Sequence, residues 1–140
     1  MSEQANISKM QLMYGAFGRG DNQTIAAECT DDVSWGTDAS VQNEVPWYRI
    51  RSGRDGVLDF FSTLANEVDF ERFEPMVFTA AGDEVFVKVD YTCRFKRNGQ
   101  SAATSGIHQF TVRDGKVSQF RAYRGHGEGA GRVRGIADSG

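Results

Sequence analysis

Residues 84–123 read EVFVKVDYTCRF (84–95), KRNG (96–99), QSAATSGIHQFTVR (100–113), DGK (114–116) and VSQFRAY (117–123). Three runs with a side-chain period of two are separated by Asn98-Gly99 and Asp114-Gly115, dipeptides that accept the positive φ of tight hairpin turns. The stretch therefore predicts three consecutive antiparallel strands. Val68 to Thr79 adds a fourth, joined through Ala81-Gly82-Asp83. Pro75 cannot donate to a ladder, which puts that strand at an edge or on a bulge.

Alternation sorts these strands into faces. His108, Phe110 and Val112 share one face, opposite Ile107, Gln109 and Thr111. The first set is the more apolar, so His108 is predicted to point inward. The preceding strand sets Val85, Val87, Val89, Tyr91 and Cys93 against Phe86, Lys88, Asp90, Thr92 and Arg94. Periodicity does not choose between these faces. With the polar face inward, Lys88 and Asp90 form an acid–base pair inside the fold; with it outward, they form a surface pair of little energetic weight.

Ahead of the strands the period is helical. Ile7, Met10, Tyr14 and Phe17 make one stripe, with Asn6 as the expected cap and Gly18 and Gly20 as the stop. Asp21 caps a shorter segment whose buried side is Ile25, Ala26 and Cys29. Val33 to Trp35 reads as a short strand. Gly36 to Gly53 has no period, and loops of this length in a small domain are commonly functional; it holds Asp38, Pro46, Trp47 and Tyr48. Val57, Phe60, Phe61 and Leu64 then stand at i, i+3, i+4 and i+7, an amphipathic third helix. Three helices followed by a strand meander give an α+β class. Its economical packing is one helical layer on a curved antiparallel sheet, enclosing an apolar pocket for a small organic molecule.

The chain has 140 residues, 39% of them hydrophobic and 25% charged, with a formal net charge of −3. That length holds one core: a single domain over residues 1–126 and a Gly-rich tail, 127–140, expected to be flexible. The charge argues against nucleic acid, which needs a basic footprint. No apolar run is long enough to span a membrane, and MSEQANISKM lacks the charged-then-apolar pattern of a secretory leader. A cytoplasmic location is expected, with Cys29 and Cys93 as reduced core thiols. His108 and His126 have no ligand spacing around them, so no metal is expected. No phosphate loop or nucleophile elbow is present, and no cofactor is called for.

Four segments carry a family resemblance: Tyr14-Gly-Ala-Phe-Gly-Arg-Gly-Asp21, Asp31-Asp32-Val33-Ser34-Trp35, Gly53-Arg-Asp-Gly-Val57 and Phe110-Thr-Val-Arg-Asp-Gly-Lys-Val117. Over roughly residues 8 to 126 the chain resembles the SnoaL-like branch of the nuclear transport factor 2-like (cystatin-like) fold, which includes ketosteroid isomerases, polyketide cyclases and limonene epoxide hydrolase. The resemblance implies a cone-shaped α+β barrel with a deep pocket, and a homodimer through the outer sheet face. In ketosteroid isomerase an aspartate base works with a tyrosine and a protonated aspartate that hold the oxyanion. Asp38 falls at, or one residue beyond, the base. His108 falls at or next to the protonated aspartate. The tyrosine position falls on Met13, with Tyr14 one residue off. Lys88 and Asp90 resemble two members of the epoxide hydrolase Asp-Arg-Asp set, but its third position is Ala122, so that mechanism is not expected. Cyclase-like relatives carry an acid near the end of the last strand; here Arg121-Ala-Tyr123-Arg124-Gly125 offers an arginine and a glycine instead.

Two functions follow. The first is a cofactor-free isomerase or cyclase-type enzyme enolising a small hydrophobic carbonyl compound, with Asp38 as base and His108 hydrogen-bonding the enolate oxygen, or with His108 itself as base. Ligand contacts are then Tyr14, Phe17, Trp35, Trp47, Tyr48, Phe61, Lys88, Asp90, Phe110 and Arg124; the two tryptophans and Tyr48 either line the pocket or plug its mouth. The alternative is a non-catalytic ligand-binding or partner-docking domain of the same fold.

Overall fold

The computed structural model describes residues 2–37 and 49–124, the last of these without its side chain. Helix α1 (Glu3–Gly18) is followed by α2 (Asn22–Ala27), β1 (Cys29–Thr37), β2 (Arg51–Ser52), α3 (Gly53–Glu67), β3 (Val68–Ala81), β4 (Glu84–Phe95), β5 (Ser101–Arg113) and β6 (Lys116–Arg124). The six strands form one sheet in the order β2-β1-β6-β5-β4-β3. All neighbours are antiparallel except β1 and β6, which run parallel. The predicted α+β class, with N-terminal helices on a curved sheet, is what the chain forms, with a mixed rather than a purely antiparallel sheet. Among the described residues no helix is long and apolar enough to cross a membrane.

The local signals act where they stand. Asp21 accepts from Thr24 N and starts α2. Gly99 and Gly115 take φ of 73° and 80°, and Asp114 sits at 53°, so both hairpin turns use the left-handed region their sequences allow. Pro75 lies on the edge strand and also at a register shift, where its missing N–H is tolerated. Two expectations change. α1 starts earlier than predicted because Ser2, not Asn6, caps it by accepting from Ala5 N; Asn6 is buried inside the helix. The short strand at Val33 to Trp35 extends to nine residues because it pairs with β6, a partner far along the chain.

The helices cover the concave face. Val57, Phe60, Phe61 and Leu64 of α3 and Met10, Met13 and Ala16 of α1 join one core with Val85, Val87 and Val89 of β4. Arg51 holds the start of α3: its guanidinium, nearly sealed from solvent, donates to Asp59 at 2.6 Å. Arg54 donates to the Cys29 carbonyl and ties α3 to the start of β1.

Candidate active site

Opposed residues on neighbouring strands point to the same face, so registers across the sheet define the rows of the concave wall. One row runs Trp35, Phe120, Phe110, Val85; the next runs Thr37, Ala122, His108, Val87, Phe78. Further along, β5 contributes only Gly106, Thr104 and Ala102 to this face. Small side chains there, beside Ala122, leave space that the helices do not fill. The result is a cavity of about 140 Å³ bounded by Met13, Tyr14 and Phe17 of α1, Phe60, Phe61 and Leu64 of α3, and the inner faces of β1 and β3–β6. An empty apolar cavity of about 150 Å³ is large enough to take up benzene.

The lining is largely aromatic and, among the described residues, includes no Asp, Glu, Lys or Arg. Its chemistry is concentrated in one pair. The Tyr14 hydroxyl lies 2.7 Å from His108 Nδ1, with the two rings nearly parallel at an interplanar angle of 7°. Phe73, Phe78 and Phe110 surround Tyr14, and Phe120 meets the imidazole edge-on at 5.0 Å. Burial pushes the His108 pKa down to about 4 and the Tyr14 pKa well above 10. Both groups are therefore neutral at neutral pH. With Tyr14 donating to Nδ1, the imidazole proton resides on Nε2 and is available to a ligand.

The structure brings together Tyr14, Phe17, Trp35, Phe61, His108 and Phe110 from the predicted set. It does not bring Lys88 and Asp90 with them. The buried valines of β4 turn inward, so Lys88 and Asp90 occupy the outer face, opposite Ile107 and Ser105. The reading of those two as an internal acid–base pair or as ligand contacts is corrected accordingly. Asp38, Trp47 and Tyr48 lie outside the described residues, as does the Arg124 side chain, although the Arg124 backbone ends β6. Asp38 directly follows Thr37, a buried residue of the cavity wall.

Sequence reasoning missed three features. Tyr91 belongs to the alternating set of Val85, Val87 and Val89, so the signal for its inward position was present. Phe73 gave no such signal, because register shifts at Phe70/Arg72 and Pro75/Val77 interrupt the period of β3. The hydrogen bond between Tyr14 and His108 was also not foreseen, although Tyr14 stood on the apolar stripe of α1. Among the described residues, no group of three or more His, Cys, Asp or Glu is placed to hold a metal ion.

A model of the SnoaL-like domain matches residues 10–120. Among solved structures, the chain is similar to an NTF2-like protein of unknown function from Burkholderia pseudomallei (TM-score 0.79, 23% identity, covering 96% of this chain and 97% of that one). It is also similar to an NTF2-like protein from Burkholderia xenovorans (TM-score 0.79, 26% identity, 89% and 92% covered). A third similar structure is TerC, co-crystallised with polyporic acid (TM-score 0.73, 23% identity, 86% and 92% covered). No curated protein matches. With the family model spanning most of the chain, from the middle of α1 into β6, and the cone and its cavity built as described, this protein belongs to the SnoaL-like domain family.

Proposed function

We propose that the cavity binds a small hydrophobic carbonyl compound and enolises it without a cofactor. Asp38 removes a proton α to the carbonyl. The His108 Nε2–H donates to the oxygen as negative charge develops there, and Tyr14, donating into Nδ1, keeps the imidazole in the tautomer that can do so. The observation that carries this reading is the neutral Tyr14–His108 pair at 2.7 Å in a wall that, among the described residues, holds no charged side chain. A preorganised neutral donor in a water-poor cavity stabilises an oxyanion more than the same donor does in water. A neutral imidazole is suited to that role, whereas His108 with a pKa near 4 is a weak base at neutral pH. This favours Asp38 as the base.

The test is α-proton exchange of 2-tetralone in D2O, followed by proton NMR, because enolisation is detected there whatever the later steps are. The wild type is expected to accelerate exchange over buffer. Asp38→Asn and His108→Ala are each expected to lose on the order of 100-fold of that acceleration. No acceleration by wild type, or full activity in both variants, would sink the enzyme reading. The alternative, a ligand-binding domain without turnover, is favoured by the missing last-strand acid. A hydrophobic compound that co-purifies intact in native mass spectrometry would support it.

The outer sheet face carries Val77, Lys88, Ile107 and Tyr123 in one cross-strand row, and Val77, Ile107 and Tyr123 are exposed. A second copy of the chain covering this row is the proposed assembly. A monomer mass in light scattering would overturn it.

A further inference from the structure

Among the described residues, a cleft of about 830 Å³ lies between α1, the end of α3 and the edge strand β3. Tyr14, Phe17, Phe70 and Phe73 line this cleft and also line the cavity. The partition between the two spaces is therefore one side chain thick there. β3 ends the sheet, so no ladder of hydrogen bonds closes the gap between it and α1. Phe17 stands at the centre of the partition, edge-on to Phe73 at 5.0 Å and to Phe70 at 5.6 Å, and those two rings meet at 5.4 Å. All three are half-buried. The β3–β4 register shifts between Phe70 and Arg72 and again between Pro75 and Val77, so Phe70 and Phe73 ride on the least regular part of the sheet. A wall of side chains opens by a change of rotamer, whereas paired strands must break ladder bonds to part.

We propose that the cleft between α1 and β3 is the ligand's passage into the cavity, with Phe17, Phe70 and Phe73 as its shutter. The cleft then sets how fast a ligand enters and leaves, and the cavity sets how tightly it is held. This inference rests on the reading of the cavity as a ligand site but requires no turnover.

Gly15 and Gly18 of α1 line the cleft and not the cavity. A Cβ on Gly18 would meet nothing within 4 Å, and one on Gly15 only the Arg19 guanidinium, at 3.5 Å. Leucines at both positions fill the cleft without displacing a neighbour. Leucine also favours a helix over glycine, so the double variant Gly15→Leu/Gly18→Leu is expected to fold. Gly18→Leu alone, at the end of the helix, takes its place should it not. The full chain is titrated with 6-fluoro-2-tetralone, and fluorine-19 exchange NMR gives kon, koff and Kd. Blocking a passage raises one barrier that entry and exit share. Both rate constants are therefore expected to fall about tenfold, with Kd within about twofold of wild type. If neither rate constant moves, the ligand enters elsewhere; the passage falls and the ligand site stands. If only one of them changes, the new side chains act on the bound ligand, and the passage falls likewise. If the wild type does not bind the probe, the ligand-site reading falls and takes the passage with it.

Discussion

Lowered to about 4 by burial, the His108 imidazole stays neutral through the range in which an exposed histidine ionises. Proton linkage makes this a statement about stability. Above about pH 6.5 neither the folded nor the unfolded chain protonates this residue, and the stability is intact. As the pH falls below about 6.5 the unfolded chain binds a proton that the folded chain refuses until about pH 4, so stability declines through that window. The loss is on the order of 3 kcal/mol. Urea denaturation of wild type and His108→Gln between pH 7 and 4 checks it: the slope present in the first is expected to be absent in the second. The carboxylates of Asp21, Asp32 and Asp59 are held below their ordinary value of 3.8 by hydrogen bonds from Thr24, Thr30 and Arg51 respectively, and so act at lower pH. At this scale His108 was readily legible, because its strand alternates cleanly. The partnership with Tyr14 stayed hidden, because two groups 94 positions apart meet only when α1 closes over β5.

Strands and helices were legible in proportion to how local their causes are. The hairpins at Asn98-Gly99 and Asp114-Gly115 and the apolar stripe of α3 are written within a few residues, and they formed as predicted. The full length of β1 depends on its parallel pairing with β6, which no window of sequence contains. The inward turn of Phe73 depends on register shifts: the one between Phe70 and Arg72 reverses the parity of the residues after it, and the one between Pro75 and Val77 restores it. A glycine in β1 makes the same point. A Cβ on Gly36 would stand 2.6 Å from Ile50 Cα and 2.8 Å from its Cγ1, so the chain returning towards β2 packs directly on the Gly36 backbone. Gly36→Ala is expected to destabilise the fold by about 1–3 kcal/mol, as overpacking does. Chemical denaturation gives the value directly, and a change under half a kcal/mol would contradict the close approach. Gly18, where a Cβ would meet nothing within 4 Å, is the control site.

For the molecule as a whole, the cavity is space that the core leaves unfilled, and unfilled apolar space lowers stability. Ala102 is buried in its wall. Ala102→Leu is expected to stabilise the fold by about 1 kcal/mol, in the manner of cavity-filling substitutions, and to abolish uptake of the 2-tetralone probe. Calorimetry and NMR titration measure the two effects on one sample; undiminished binding in the variant would show that the probe sits elsewhere. A stability gain coupled to a binding loss is the signature of space kept for a ligand.

Cys93 lies in the same wall, 6% exposed, and burial pushes its thiol up to about 11. Almost none of it is thiolate at neutral pH, and the thiolate is the reactive form. A reagent that enters the cavity meets the Cys93 thiol there. Cys29, the other cysteine, is buried outside that wall. The thiol thereby serves as an internal reporter: a compound seated in the cavity is expected to slow alkylation of Cys93, and the ratio of the rates with and without it measures how much of the time the cavity stands vacant.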